Sequence, residues 1–126
     1  MRRLASALAA AATALACGAG DTPERQVARG AEWYTRECRA CHDVEGAIGV
    51  ALSDRVIGSY GNAQRLFDYL RVAMPYGAPG SLDAEAYWDL VAFLASNRGA
   101  RALPVVIEGA IASRVTLRAE PAAVPR

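Results

Sequence analysis

Residues Cys38-Arg39-Ala40-Cys41-His42 form a C-x-x-C-H box. Two thiols three positions apart can add across the two vinyl groups of one haem, and the adjoining imidazole then lies under its iron. A chain tied to such a group has to arrange its apolar centre around it. Two other uses of the same residues fit less well. A zinc ion needs four ligands, or three and a water, and Cys38, Cys41 and His42 are too close together to enclose it without a second knuckle elsewhere. A redox dithiol would follow a buried β-strand and open a helix, whereas Arg29 to Glu37 is polar, helix-prone and without a β-branched run.

The supply of iron ligands narrows the reading. His42 is the only histidine, and the two methionines are Met1 and Met74. Bis-histidine ligation within one chain is therefore excluded, and Met74 remains as the soft thioether for the sixth position. Histidine–methionine ligation raises the potential of a haem into the range of electron carriers. Pro75 pushes Met74 into an extended conformation, and upstream Leu66, Leu70 and Ala73 recur at helical spacing behind a capping Asn62. Met74 is thus expected just beyond a helix end, at the start of a loop containing Pro75, Gly77, Pro79 and Gly80.

Two more helices are predicted. Asp21 or Thr22 can cap one that has Pro23 at its first position and Glu24 against its dipole. Val27, Ala31, Tyr34 and Cys38 form its apolar stripe, and Gly30 leaves room for a close helix neighbour. The candidate neighbour runs from Asp83 to Asn97, with Tyr87, Leu90, Val91 and Leu94 on its apolar face and Phe93 beside them. Three such helices bury a modest core, which a covalently held haem would complete.

Together these residues resemble the class I c-type cytochromes, over about Val27 to Asn97. The marks are the Gly30-x-x-x-Tyr34 pair, the Cys38 to His42 box, the Met74-Pro75 loop, and Tyr87, Leu90, Phe93 and Leu94 on the last helix. The resemblance implies an all-α, cytochrome c-like domain wrapped around one haem c whose edge is exposed. It implies thioether links at Cys38 and Cys41, His42 as proximal ligand and Met74 as distal ligand. Met74 to Leu82 looks like the distal loop of cytochromes that serve periplasmic dehydrogenases. Gly49-Val50-Ala51-Leu52 departs from the Gly-Pro-x-Leu segment of the family by carrying Val50 for proline, although the Val50 carbonyl can still accept the imidazole N–H. Leu52, Leu66 and Leu70 are expected haem-wall residues, with core packing as the alternative for each. Arg55, Tyr60 and Arg71 are candidates to reach the propionates.

The ends of the chain read differently. Met1 to Ala16 has Arg2 and Arg3, an uncharged Leu/Ala run and then small residues, the pattern of a secretory signal peptide. Cleavage is expected near residues 16/17, and Cys17 is a candidate lipobox cysteine that would be acylated, with Ala14 where a leucine is usual. The cytochrome c domain is expected over residues 22–99. Beyond it, 100–126 is expected to be a partly disordered extension, with Val105 to Ile107 and Val115 to Leu117 as the halves of a small hairpin, a strand donated to a partner, or part of a loose tail.

Fourteen arginines oppose thirteen acids and lysine is absent. No basic stripe points to nucleic acid. The expected protein is a periplasmic electron carrier rather than an enzyme, soluble or anchored through Cys17, with a dehydrogenase, another cytochrome or a terminal oxidase as redox partner. The alternatives are a subunit of a sulfite or alcohol dehydrogenase, and a gas sensor or peroxidase with an open sixth site. Without haem the chain should be largely unfolded, which far-UV circular dichroism of apo- and holoprotein checks. A fully helical apoprotein would show that the polypeptide core suffices by itself.

Overall fold

The computed structural model describes residues 19–117; the signal-peptide and lipobox readings, and the segment from residue 118 onward, lie outside them. The described chain runs through α1 (Pro23–Glu37), the single turn α2 (Arg39–His42), the short α3 (Asp54–Gly58), α4 (Ala63–Ala73), α5 (Ala84–Ala95) and a 3-10 helix, Gly109–Arg114. Among the described residues, β pairing is confined to one isolated antiparallel bridge, Asn62 to Thr116. The domain is all-α, as expected.

Local chemistry sets the helix ends. The Thr22 hydroxyl accepts from the Arg25 N–H at 3.2 Å, with Pro23 next to it in the first turn. The Asn62 side chain accepts from Arg65 N–H at 3.0 Å, and that of Asp83 from Ala86 N–H at 2.8 Å. α4 stops at Met74, whose backbone is extended (φ −128°, ψ 150°), the conformation Pro75 imposes on the residue before it. α5 ends in three successive left-handed residues, Asn97, Arg98 and Gly99, with φ of 50°, 56° and 84°.

α1 lies directly against α5. A Cβ at Gly30 would collide with the Asp89 carbonyl and stand 2.7 Å from Phe93 Cβ, so the backbones meet where only glycine fits. Beside the contact, Tyr34 and Phe93 pack with ring centroids 5.2 Å apart. Arg29 closes the seam by donating from Nε to Asp89 Oδ2 at 3.0 Å and from Nη2 to Asp89 Oδ1 at 2.9 Å. Burial raises the Asp89 carboxyl above its ordinary range, and the Arg29 fork works against that shift.

The described residues beyond Gly99 correct the expectation of a hairpin or loose tail. Ile107, Ala112 and Leu117 are all in the core. Ile107 exchanges two hydrogen bonds with the buried Gln26 side chain: Nε2 donates to its carbonyl and its N–H donates to Oε1, both at 2.8 Å. Farther on, Ala63 N–H donates to the Val115 carbonyl and Leu117 N–H to that of Gly61, each at 2.9 Å. The β-prone residues therefore form a strap across α1 and the start of α4, and their one β pairing is the Asn62–Thr116 bridge rather than a pairing with each other.

Gly30→Ala is expected to destabilise the folded protein by ~1–3 kcal/mol through overpacking, read as a lower denaturant midpoint. A higher midpoint would mean that the helix propensity of alanine, worth ~1 kcal/mol over glycine, prevails and that the two helices can part.

Candidate functional site

The elements α2 to α5 and the loop after His42 enclose a mainly apolar cavity of about 400 Å³ that opens to solvent. Cys38, Cys41 and His42 line it from the box, and Met74 lines it from the end of α4. Leu52, Leu66 and Leu70 form part of its wall. Every residue singled out from the sequence for thioether, axial or wall contact thus borders one space, although these residues span more than a quarter of the chain.

His42 is oriented by a neighbour the sequence had singled out. Its Nδ1 lies 2.6 Å from the Val50 carbonyl. With the proton on Nδ1 donated to that oxygen, the Nε2 lone pair is free for a metal. The loop that brings Val50 into place closes tightly, since Gly49 N–H donates to the Cys41 carbonyl at 3.0 Å. A Cβ at Gly49 would stand 2.9 Å from His42 Nδ1, so glycine is required by close approach. Val50, without a proline ring, thus still presents its backbone carbonyl to the imidazole, as its sequence position suggested.

Cys38 and Cys41 are free thiols, both partly buried. Burial, reinforced by the nearby Glu37 and Asp43 carboxylates, pushes the Cys38 thiol up to about 12. Met74 is held at both ends of its peptide unit: its N–H donates to the Leu70 carbonyl at 2.9 Å, and its own carbonyl accepts from the Tyr87 hydroxyl at 2.8 Å. Tyr87 is buried on α5, so the last helix fixes the start of the distal loop.

Tyr60 borders the cavity beside Tyr69, with ring centroids 5.1 Å apart. Burial first, and Tyr69 second, push the Tyr60 hydroxyl up to about 12. Arg55 and Arg71 do not line the space; the Arg71 guanidinium instead stands 5.5 Å above the Phe67 ring on the same helix. Tyr87, Leu90 and Leu94, whose spacing points only to helix packing, also border the cavity. The same apolar period serves both purposes, so spacing could not separate them. Tyr69, Ile48 and Tyr76 also line the space and were missed. Ile48 and Tyr76 sit in irregular loops where no period marks them.

The donor set suits a haem c. Two thiols, an imidazole with one nitrogen already hydrogen-bonded, and a thioether face a common apolar space with an open side, the combination that covalent attachment and axial ligation of haem require. No curated protein and no solved structure gives a significant match to the chain. The family described as cytochrome c oxidase, cbb3-type, subunit III matches residues 25–94, which take in α1 to α5 almost to its end. That match covers more than half of the chain and includes every residue of the candidate site, and the chain therefore belongs to this family and is a c-type cytochrome.

Proposed function

We propose that the protein carries single electrons on one haem c, attached through Cys38 and Cys41 and ligated by His42 and Met74. The observation that carries the proposal is the meeting of these four side chains on one apolar cavity, with His42 Nδ1 tied to the Val50 carbonyl. Bound there, a haem c supplies a one-electron Fe(II)/Fe(III) couple. The protein's own hydrogen bonds restrain both donor residues. Val50 keeps the imidazole turned, while Leu70 and Tyr87 anchor the peptide of Met74. Leu52, Leu66, Leu70 and Leu90 keep water from the inner wall, and low polarity together with a thioether ligand favours the reduced state.

The leader-like Met1 to Ala16 supports a periplasmic location, and Cys17 supports a lipid anchor as the means of staying at the membrane. The family takes its description from a terminal oxidase subunit, which supports an oxidase among the redox partners. The Met74 to Leu82 loop supports a periplasmic dehydrogenase as the electron source.

Expression with haem-maturation machinery and optical spectra of both oxidation states test the proposal. A low-spin spectrum with the weak ferric iron–thioether charge-transfer band is expected. A high-spin spectrum from folded holoprotein would favour a sensor or peroxidase with an open sixth site. Replacing Met74 by Ala should lower the midpoint potential markedly, and an unchanged potential would remove Met74 from the iron. Tyr87→Phe removes one hydrogen bond, worth ~1 kcal/mol, from the carbonyl of Met74. It should speed carbon monoxide binding to the ferrous protein, whereas parental kinetics would show that Tyr87 does not restrain the loop.

A further inference from the structure

The turn that presents His42 is only four residues long and has no side-chain cap at Cys38. A single turn does not hold itself in water, because helix nucleation is unfavourable. Its C-terminal cap is Asp43, and this residue is gripped from α1 and from the turn that follows α5. Arg98 donates from Nη1 to Asp43 Oδ2 at 3.0 Å and from Nη2 to Asp43 Oδ1 at 2.8 Å, a fork on the carboxylate. The Tyr34 hydroxyl, on α1, donates to the same Oδ1 at 2.8 Å and accepts from Arg98 Nη2 at 2.8 Å. The guanidinium also lies 4.8 Å above the Tyr34 ring.

Arg98 reaches this position at a conformational cost. It and Asn97 both occupy the left-handed region, with φ of 56° and 50°, which asparagine visits readily but which costs an arginine free energy that its contacts must offset. The Arg98 N–H donates to the Phe93 carbonyl at 2.9 Å, so the turn is locked to α5. Arg29 also joins α1 to α5, through Asp89 and without touching the haem box.

We infer that Arg98 and Asp43, with the Tyr34 hydroxyl between them, are positioning residues for the His42 imidazole. Val50 and Gly49 hold the ring from the loop side, and the clamp holds the turn that carries it from the α1–α5 side. The inference rests on His42 being the proximal ligand. The carboxylate and guanidinium act as a pair: removing either frees the turn, whereas their electrostatic effects on the iron oppose each other.

The test compares Arg98→Gln, Asp43→Asn and Arg29→Gln in full-length holoprotein, by ferric electron paramagnetic resonance, midpoint potential and thermal unfolding. The parent spectrum alone decides the ligation, so a parent that is not low-spin would overturn the proposed function rather than the clamp. With a low-spin parent, Arg98→Gln and Asp43→Asn should both shift or broaden the g-values, and their potentials should move in opposite directions. Arg29→Gln should lower the unfolding temperature and leave the g-values at those of the parent. Arg98→Lys keeps the charge without the fork, and it should show altered g-values with a potential near that of the parent. It decides the matter if the glutamine variant does not accumulate. Parental g-values in the Arg98 and Asp43 variants, whatever their stability, would overturn the inference.

Discussion

The crossing of α1 over α5 at Gly30 is the constraint on which the site depends. With no side chain at Gly30, the helix backbones touch, and Asp89 and Phe93 pack against the first helix at the same level. Both ends of the site hang from this pair. Cys38 caps the end of α1 and leads directly into the turn bearing His42, while Tyr87 on α5 holds the carbonyl of Met74. A change in the spacing of the two helices would move His42 and Met74 relative to one another. This is a physical reason for the domain to tolerate a packing contact that a single methyl group would disrupt.

Around that frame, small polar interactions do most of the aiming. The Val50 carbonyl turns the imidazole, Gly49 lets the loop close over it, and the Asp43 carboxylate ties the turn to α1 and α5. The apolar residues supply the wall, but they do not orient the donors. The cavity thus combines two separable properties: a surface that excludes water and a set of hydrogen bonds that fix direction. Electron transfer at low reorganisation depends on both.

Much of this was legible in the sequence because it is encoded locally. Thr22, Asn62 and Asp83 announce helix starts, Pro75 sets the conformation of Met74, and the C-x-x-C-H box names its own chemistry. Gly30 could be read as a place for a helix to approach because it lies on the helix bearing the Tyr34 stripe. What stayed hidden was non-local. Gln26 meets Ile107 across 81 positions and Arg98 meets Asp43 across 55, so no spacing within a helix or strand signals either contact. The Val105 to Ile107 and Val115 to Leu117 patches have strand-like side chains, but Gln26 and the Asn62 region satisfy their backbone instead of each other. Their β propensity reported burial rather than a sheet.

The most direct measurement of the central claim is a proton NMR spectrum of the reduced, diamagnetic holoprotein. If Met74 and His42 bind the two faces of one haem, the ring current must carry the Met74 methyl and γ-methylene protons far upfield of all other resonances, as one set from one methionine. A folded, haem-bearing protein without that upfield set would contradict the account, because Met74 would then border the cavity without reaching the iron.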